Sequence, residues 1–95
     1  MPSSFQLGQC FITPGAADTL AALSIAPATL LARHAAMDWG ELDAHDKRAN
    51  ERALIEGSRL LSAYICNGHK LWVITDAADD NGNRTATTIL LPSEY

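Results

Sequence analysis

A thiol and an imidazole lie on either side of a two-residue turn in this sequence, at Cys66 and His69. Such a pair can bind zinc, or the imidazole can activate the thiol as a nucleophile. A zinc site needs two further ligands, and the remaining cysteine and histidine residues do not form a second spaced pair. The nucleophile interpretation lacks a third residue to orient the imidazole. The sequence therefore predicts an ordinary cross-strand pair, with no metal and no cofactor.

His34 is the second residue whose type suggests chemistry. It follows Arg33 at the end of an apolar, helix-like segment and precedes the turn Asp38-Trp39-Gly40. A cationic imidazole is favoured near a helix C-terminus, so His34 could cap this helix. It could instead act as a general acid or base if it faced an accessible sheet surface. Both interpretations stay open from the sequence.

The acidic segment 76–83 resembles a calcium loop only in composition. Its carboxylates do not alternate before the glycine, and no later glutamate would close the coordination shell. We expect a solvated loop. The chain also lacks a glycine-rich phosphate loop, a nucleophile elbow and a dinucleotide-binding fingerprint.

The elements that would position these residues follow from turn signals and periodicity. Asn67-Gly68 predicts a type I′ hairpin between strands over 60–66 and 69–75. A last strand is expected over 85–91 and a short first strand over 8–12, with helices over about 15–23, 27–36 and 43–57. The predicted fold is α+β: an N-terminal short strand and about three helices packed on one face of a C-terminal three- to four-stranded antiparallel sheet.

A two-residue turn fixes which strand residues share a face of the sheet. One predicted face is mostly apolar, and we expect the helices to cover it; it contains Leu61, Ala63, Ile65, Trp72 and Ile74. The other face is mixed and is expected to stay partly exposed. With the aromatic turn before the third helix it forms the predicted binding surface, which consists of Trp39, Tyr64, His69 and Ser62.

Composition limits the class of protein. The chain has 95 residues, of which 47% are hydrophobic and 19% charged, and this balance predicts one soluble domain over 8–95 after a flexible leader at 1–7. No apolar run is long enough to span a bilayer, and no secretion signal begins the sequence, so we expect no membrane partner and a cytoplasmic location. The net charge of −4 makes DNA an unlikely partner.

The sequence resembles a family of small uncharacterised bacterial proteins carried on plasmids, phages and other mobile elements, some labelled plasmid-related or restriction-associated. The resemblance covers residues 8 to 95, and it implies no established activity. The residues that carry it are Arg33-His34, Asp38-Trp39-Gly40-Glu41-Leu42, Asn50, Ser62-Ala63-Tyr64, Gly68, Leu71-Trp72-Val73-Ile74-Thr75-Asp76 and Thr87-Thr88-Ile89-Leu90-Leu91-Pro92-Ser93-Glu94-Tyr95.

A weaker likeness is to the barnase–RelE-like ribonuclease fold, in which N-terminal helices pack on a C-terminal antiparallel sheet. This likeness implies that His34 acts as a base or acid and that Arg33 or Arg59 steadies the phosphate. It also implies that Tyr64, with Thr87 or Thr88, lines the cleft.

Two hypotheses of function follow. The first is an accessory protein of a mobile element that acts by binding another macromolecule, with a protein as the expected partner. The second is a metal-independent ribonuclease or toxin that acts on RNA, with His34, Tyr64 and Thr88 as its catalytic residues.

Overall fold

The structure is a computed structural model that describes residues 5–95, and it confirms the α+β class. Three helices and four strands are present in the described residues, together with a short 3₁₀ turn near the end. In chain order they are β1 (Gln9–Ile12), α1 (Pro14–Ala22), α2 (Pro27–Ala35), α3 (Ala44–Glu56), β2 (Leu60–Cys66), β3 (His69–Thr75), β4 (Ala86–Leu90) and the 3₁₀ turn Pro92–Glu94.

The four strands form one sheet in the order β1-β4-β3-β2. The β2–β3 and β3–β4 pairs are antiparallel, as expected, but β1 lies parallel to β4, so the sheet is mixed rather than antiparallel throughout. The N–H of Gln9 donates to the carbonyl of Thr85 at 2.9 Å, and that of Thr13 donates to Ile89 at 3.0 Å. This pairing joins segments that are distant in sequence, so no local turn signal predicts it.

The third helix begins and ends where its capping residues predict. The Asp43 carboxylate accepts a hydrogen bond from the Asp46 N–H at 2.8 Å, which satisfies one of the free donors of the first turn. At the other end Gly57 adopts φ 89°, the left-handed conformation that favours glycine after a helix. Pro27 opens α2, where its missing N–H costs nothing.

The predicted hairpin register is confirmed. Asn67 and Gly68 have φ of 51° and 85°, as a type I′ turn requires. Cys66 opposes His69, and Tyr64 opposes Leu71.

The predicted choice of buried face is wrong. The helices cover the mixed face, whose strand residues are almost fully buried: Leu60, Ser62, Tyr64, Leu71, Val73, Thr75, Thr87 and Ile89. On the opposite face Ala63 and Ile74 are buried, but Ile65 is 52% exposed, and Leu61 and Trp72 are half-buried. The number of apolar residues favoured the wrong face, because each hydroxyl side chain was counted as evidence that its face is exposed to solvent. Ser62, Thr75 and Thr87 instead bond to other buried groups, so their burial costs little.

The outer edge of β2 is closed by hydrogen bonds from other parts of the chain. The side chain of Asn50 pairs with both backbone groups of Leu61, donating at 2.7 Å and accepting at 3.1 Å. The N–H of Ala63 donates to the Trp39 carbonyl, and its carbonyl accepts from the Glu41 N–H. The Glu41 carboxylate then accepts from the N–H of Ile65 at 3.0 Å. This edge therefore offers no free strand ladder at these three residues.

Residues 5–7, which belong to the predicted flexible leader, contact the domain. The Gln6 side chain accepts from the Arg84 N–H at 3.1 Å, and the Leu7 carbonyl accepts from the Thr87 hydroxyl at 2.7 Å. Phe5 packs beside Trp39. The rest of the predicted leader, 1–4, lies outside the described residues.

Arg84 is buried and holds the end of α3 against the neighbouring loops. Its guanidinium donates to the carbonyl oxygens of Ser58, Asp76 and Ala53. Burial lowers the pKa of this guanidinium, yet the three carbonyls offset part of the cost of desolvating it.

Within the described residues, no single helix is both long and apolar enough to cross a bilayer. Helices α1 and α2 are long and apolar enough only when they are taken together, and the chain bends by 107° between them.

The stability of the fold should be unusually sensitive to substitution of Gly40, which lies in the turn that closes the β2 edge. Gly40 has φ 74°, and a Cβ atom there would lie 2.0 Å from the Ala63 carbonyl oxygen. We expect Gly40→Ala to lower the free energy of unfolding by about 3 kcal/mol or more, because strain and a backbone clash add. Urea unfolding at neutral pH measures this.

Gly82→Ala is the matched control, since Gly82 has φ 81° and no heavy atom within 4 Å of the added Cβ position. The Gly82→Ala substitution should lower the free energy of unfolding only by the cost of a Cβ atom in the left-handed conformation, about 1–2 kcal/mol. Equal effects of the two substitutions would contradict the close approach of Gly40 to β2.

Candidate functional site

Buried polar side chains run in a line between α2 and the sheet, and we call this line the buried polar chain. It contains Ser62, His34, Thr75 and Thr87 and ends at the Leu7 carbonyl. The Nδ1 atom of His34 lies 2.6 Å from the Ser62 Oγ, and its Nε2 atom lies 2.9 Å from the Thr75 Oγ1. The Thr75 and Thr87 hydroxyl oxygens are 2.8 Å apart.

The carbonyl at the end of this chain fixes the position of each proton. A hydroxyl has one proton to donate, and Thr87 gives its proton to the Leu7 carbonyl at 2.7 Å. Thr87 must therefore accept from Thr75, and Thr75 in turn must accept from the Nε2–H of His34. The Nδ1 of His34 is left as an acceptor for the Ser62 hydroxyl. The bonds thus assign the neutral Nε2–H tautomer to His34.

The surroundings of His34 keep it neutral. Its side chain has no exposed surface, and burial lowers its pKa to about 4. Phe5 and Trp39 pack against the imidazole with ring centroids 5.2 and 5.7 Å away. Among the described residues no buried side-chain nitrogen or oxygen lacks a hydrogen-bond partner. This is the arrangement of a structural histidine.

Neither interpretation of His34 from the sequence describes its position. It does not cap α2, because both ring nitrogens bond to strand hydroxyls rather than to helix carbonyls. It does not face an accessible surface either, because the helices cover the side of the sheet that it contacts. In this structure His34 therefore has no contact with solvent through which it could exchange a proton with a substrate.

Tyr64 is buried on the same side of the sheet and positions the turn after α2. Its hydroxyl donates to the Asp38 carbonyl at 2.6 Å, and burial raises its pKa to about 12. The Arg33 guanidinium lies 4.3 Å from the centre of the Tyr64 ring and also pairs with the Asp38 carboxylate at 2.7 Å. That partnership raises the pKa of Arg33 and lowers the pKa of Asp38.

The structure does not assemble the three predicted catalytic residues. His34 and Tyr64 lie on the helix-covered side of the sheet, whereas Thr88 pairs with Ile74 on the opposite side. Thr87, the alternative to Thr88, belongs to the buried polar chain. His34, Tyr64 and Thr87 thus share one side of the sheet, but none of the three has exposed surface.

The predicted binding surface is likewise not a surface. Ser62 and Tyr64 have no exposed area, and Trp39 is 6% exposed. Only His69, at the end of the hairpin, is exposed. The error has one cause, the exchange of the buried and exposed faces of the sheet.

The side of the sheet that the helices leave uncovered carries the exposed apolar side chains, and we call it the open face. It contains Phe11, Leu61, Ile65 and Trp72, with Tyr95 packed edge-on against Trp72 at 5.7 Å. Phe11 is 49% exposed and Tyr95 71%. The hairpin register had already grouped three of these residues, so the sequence signal existed and only its assignment to the core was wrong.

Two basic side chains and one acidic side chain lie near the open face. The four strands contain no aspartate or glutamate. Lys70 opposes Ile65 on this face, and the Arg59 guanidinium lies 5.5 Å from the centre of the Tyr95 ring. On a chain with net charge −4, the open face is thus an apolar surface with Lys70 and Arg59 at its margin, while the Glu41 carboxylate at the β2 edge is bonded to the N–H of Ile65.

Two further surface features, a cluster of possible metal ligands and a cleft, do not define a site. Asp43, His45 and Asp46 bring three possible metal ligands within 4.8 Å of one another at the start of α3, but all three are exposed and Asp43 already caps the helix. A shallow cleft of about 360 Å³ lies between α3 and the end of β2, and its charged lining residues have both signs. Neither points to a particular ligand.

Comparison with known proteins gives no relative. No protein-family model, no curated protein and no solved structure matches this chain.

The neutral state of His34 predicts a specific pH dependence of stability. The pKa of His34 is about 4 in the folded protein and about 6.5 in the unfolded chain, so the unfolded chain binds more protons between these values. The free energy of unfolding should therefore be fully maintained above about pH 6.5 and fall by roughly 3 kcal/mol as the pH decreases to about 4.

Urea unfolding of the wild type and of His34→Gln across this range isolates the effect. The variant should be less stable at neutral pH, and its deficit should shrink towards pH 4. His69→Gln, which changes an exposed imidazole, should keep the wild-type profile. A deficit of His34→Gln that does not change with pH would contradict a neutral, buried His34.

Proposed function

We propose that this protein acts by binding another protein through its open face. The observation that supports the proposal is the group of exposed apolar side chains on the uncovered side of the sheet. A group of exposed apolar side chains on one side of a folded domain is typical of an interaction site. Trp72 and Tyr95 add two aromatic rings, the residue types that contribute most to protein interfaces.

The charged side chains beside the open face indicate which charges the partner surface should carry. Lys70 and Arg59 lie at the edge of an apolar surface whose strands carry no acidic residue. A partner surface with an apolar centre and with aspartate or glutamate opposite Lys70 and Arg59 is complementary in both respects. The acidic Glu41 at the β2 edge is already held by the N–H of Ile65. Opposite charges at the margin accelerate association and favour the correct partner over others.

The buried residues support binding rather than catalysis. The imidazole and hydroxyl groups between the helices and the sheet bond to one another, the Tyr64 phenol donates to the Asp38 carbonyl, and these side chains are closed to solvent. Their role in this proposal is to hold the sheet in shape. The association with mobile elements and the cytoplasmic location stay predictions.

A pair of isoleucine substitutions tests the open face. Ile65 is 52% exposed on the open face, and Ile55 is 88% exposed on α3. We expect a partner captured by the immobilised wild-type chain from a ribonuclease-treated bacterial lysate to be lost with Ile65→Gln and retained with Ile55→Gln. Burying an isoleucine in an interface contributes about 1.5–3 kcal/mol, so the loss should be at least about tenfold in affinity.

Circular dichroism of both variants confirms that they fold, since both side chains are largely exposed. Equal retention by the two variants would contradict the open face as the binding surface. A partner that is captured from an untreated lysate but not from the ribonuclease-treated lysate would identify RNA as the ligand. This result would contradict a protein partner.

A further inference from the structure

The two edges of the sheet differ in how their backbone groups are used. The β2 edge is closed by Asn50, by the backbone of Trp39 and by Glu41. The other edge is β1, and all four of its residues are exposed. No segment within residues 5–95 pairs with its outer side.

The hydrogen bonds between β1 and β4 show which groups point outward. Gln9 and Thr13 donate their N–H groups to β4. Backbone groups alternate in direction along a strand, so the N–H and carbonyl groups of Cys10 and Ile12 point away from the sheet. These two residues present four backbone groups that pair with nothing in residues 5–95, in the geometry that a further strand requires.

The composition of β1 offers no protection against strand pairing. Natural edge strands are usually blocked by a charged residue, a proline or a bulge. The four residues of β1 include neither a charged residue nor a proline: Gln9, Cys10, Phe11 and Ile12. The β1–β4 register has no extra residue and therefore no bulge. Phe11 and Ile12 are 49% and 37% exposed. An apolar, uncharged edge is suited to association, and its lack of charge allows two identical strands to meet without repulsion.

The positions of the outward-facing groups select one symmetric register. In an antiparallel pair of β1 strands, Cys10 opposes Ile12 of the second copy, and all four outward-facing groups of each strand are bonded. Phe11 then lies on the two-fold axis opposite Phe11 of the second copy, in a non-hydrogen-bonded position where side chains are closest. Cross-strand aromatic pairs stabilise such a contact.

The geometry points to a second copy of this chain as the partner of the β1 edge, forming a two-fold dimer with one continuous eight-stranded sheet. Phe11 shares the open face with Leu61 and Trp72, because it pairs with Thr88 in the row of Ile74 and Leu61. The second copy therefore contributes its own Phe11 to the open face. The two open faces join into one surface across the axis.

Charge exchange at Phe11 tests both the dimer and its register. The wild type should sediment with twice the mass of one chain at high concentration and dissociate on dilution. Phe11→Glu and Phe11→Lys should each lose the dimer, because like charges meet on the axis. An equimolar mixture of the two variants should recover a dimer of mixed composition in native mass spectrometry.

Cysteine cross-linking gives an independent measurement of the same register. The Cα atoms of a non-hydrogen-bonded pair are about 4.5 Å apart, which is within the range of a disulfide. Phe11→Cys in a Cys10→Ser background should therefore form a cross-linked dimer on mild oxidation. Ile12→Cys in the same background is the matched control, since residue 12 opposes residue 10 and should cross-link far more slowly.

These measurements need no foreign partner, so their outcome is separate from that of the open-face proposal. A wild type that stays monomeric at its solubility limit would overturn the dimer and leave the edge for a foreign strand. A dimer that persists in both Phe11 variants, or equal cross-linking through residues 11 and 12, would overturn this interface.

Discussion

A neutral imidazole held between hydroxyl groups joins the helical layer of this protein to its sheet. His34 comes from α2, while its partners Ser62 and Thr75 come from β2 and β3, and Thr87 extends the contact to β4. Unpaired polar groups at these positions would each cost about 1–3 kcal/mol in a dry environment. The arrangement is therefore stable only when all of its members are in place, which makes the position of α2 on the sheet specific.

The position of α2 determines the next contacts along the chain. The turn after α2 is held by the Tyr64 hydroxyl and by the ion pair of Arg33 with Asp38. This turn delivers Trp39 and Glu41 to the edge of β2. The closed edge thus depends on the contact between α2 and the sheet, and it leaves β1 as the edge of the sheet without a neighbouring segment among residues 5–95.

Local signals in the sequence predicted much of this architecture. The hairpin at Asn67-Gly68, the cap at Asp43 and the stop at Gly57 each depend on a few adjacent residues, and all are confirmed. The parallel pairing of β1 depends on two distant segments and was missed. The buried face was misassigned for a related reason: hydroxyl groups look polar in isolation, and only the fold shows that they bond to one imidazole.

Because the buried and exposed faces of the sheet are exchanged relative to the prediction, the candidate site lies on different residues. The residues chosen for catalysis have chemically suitable side chains, but chemical type does not report access to solvent. The residues that are accessible, such as Ile65 and Phe11, are apolar and were assigned to the core or not considered. Exposure of a β-branched or aromatic residue on a strand cannot be distinguished from burial by its sequence pattern alone.

The buried polar chain ends on the main-chain carbonyl of Leu7, and this has a consequence for natural variation. A carbonyl is present whatever residue occupies position 7, so exchange of that side chain leaves the final acceptor in place. The spacing between this carbonyl and β1 has no such freedom, because Gln9 is already fixed against Thr85. Evolution of this segment should therefore tolerate new side chains at position 7 but reject single-residue insertions and deletions just before β1.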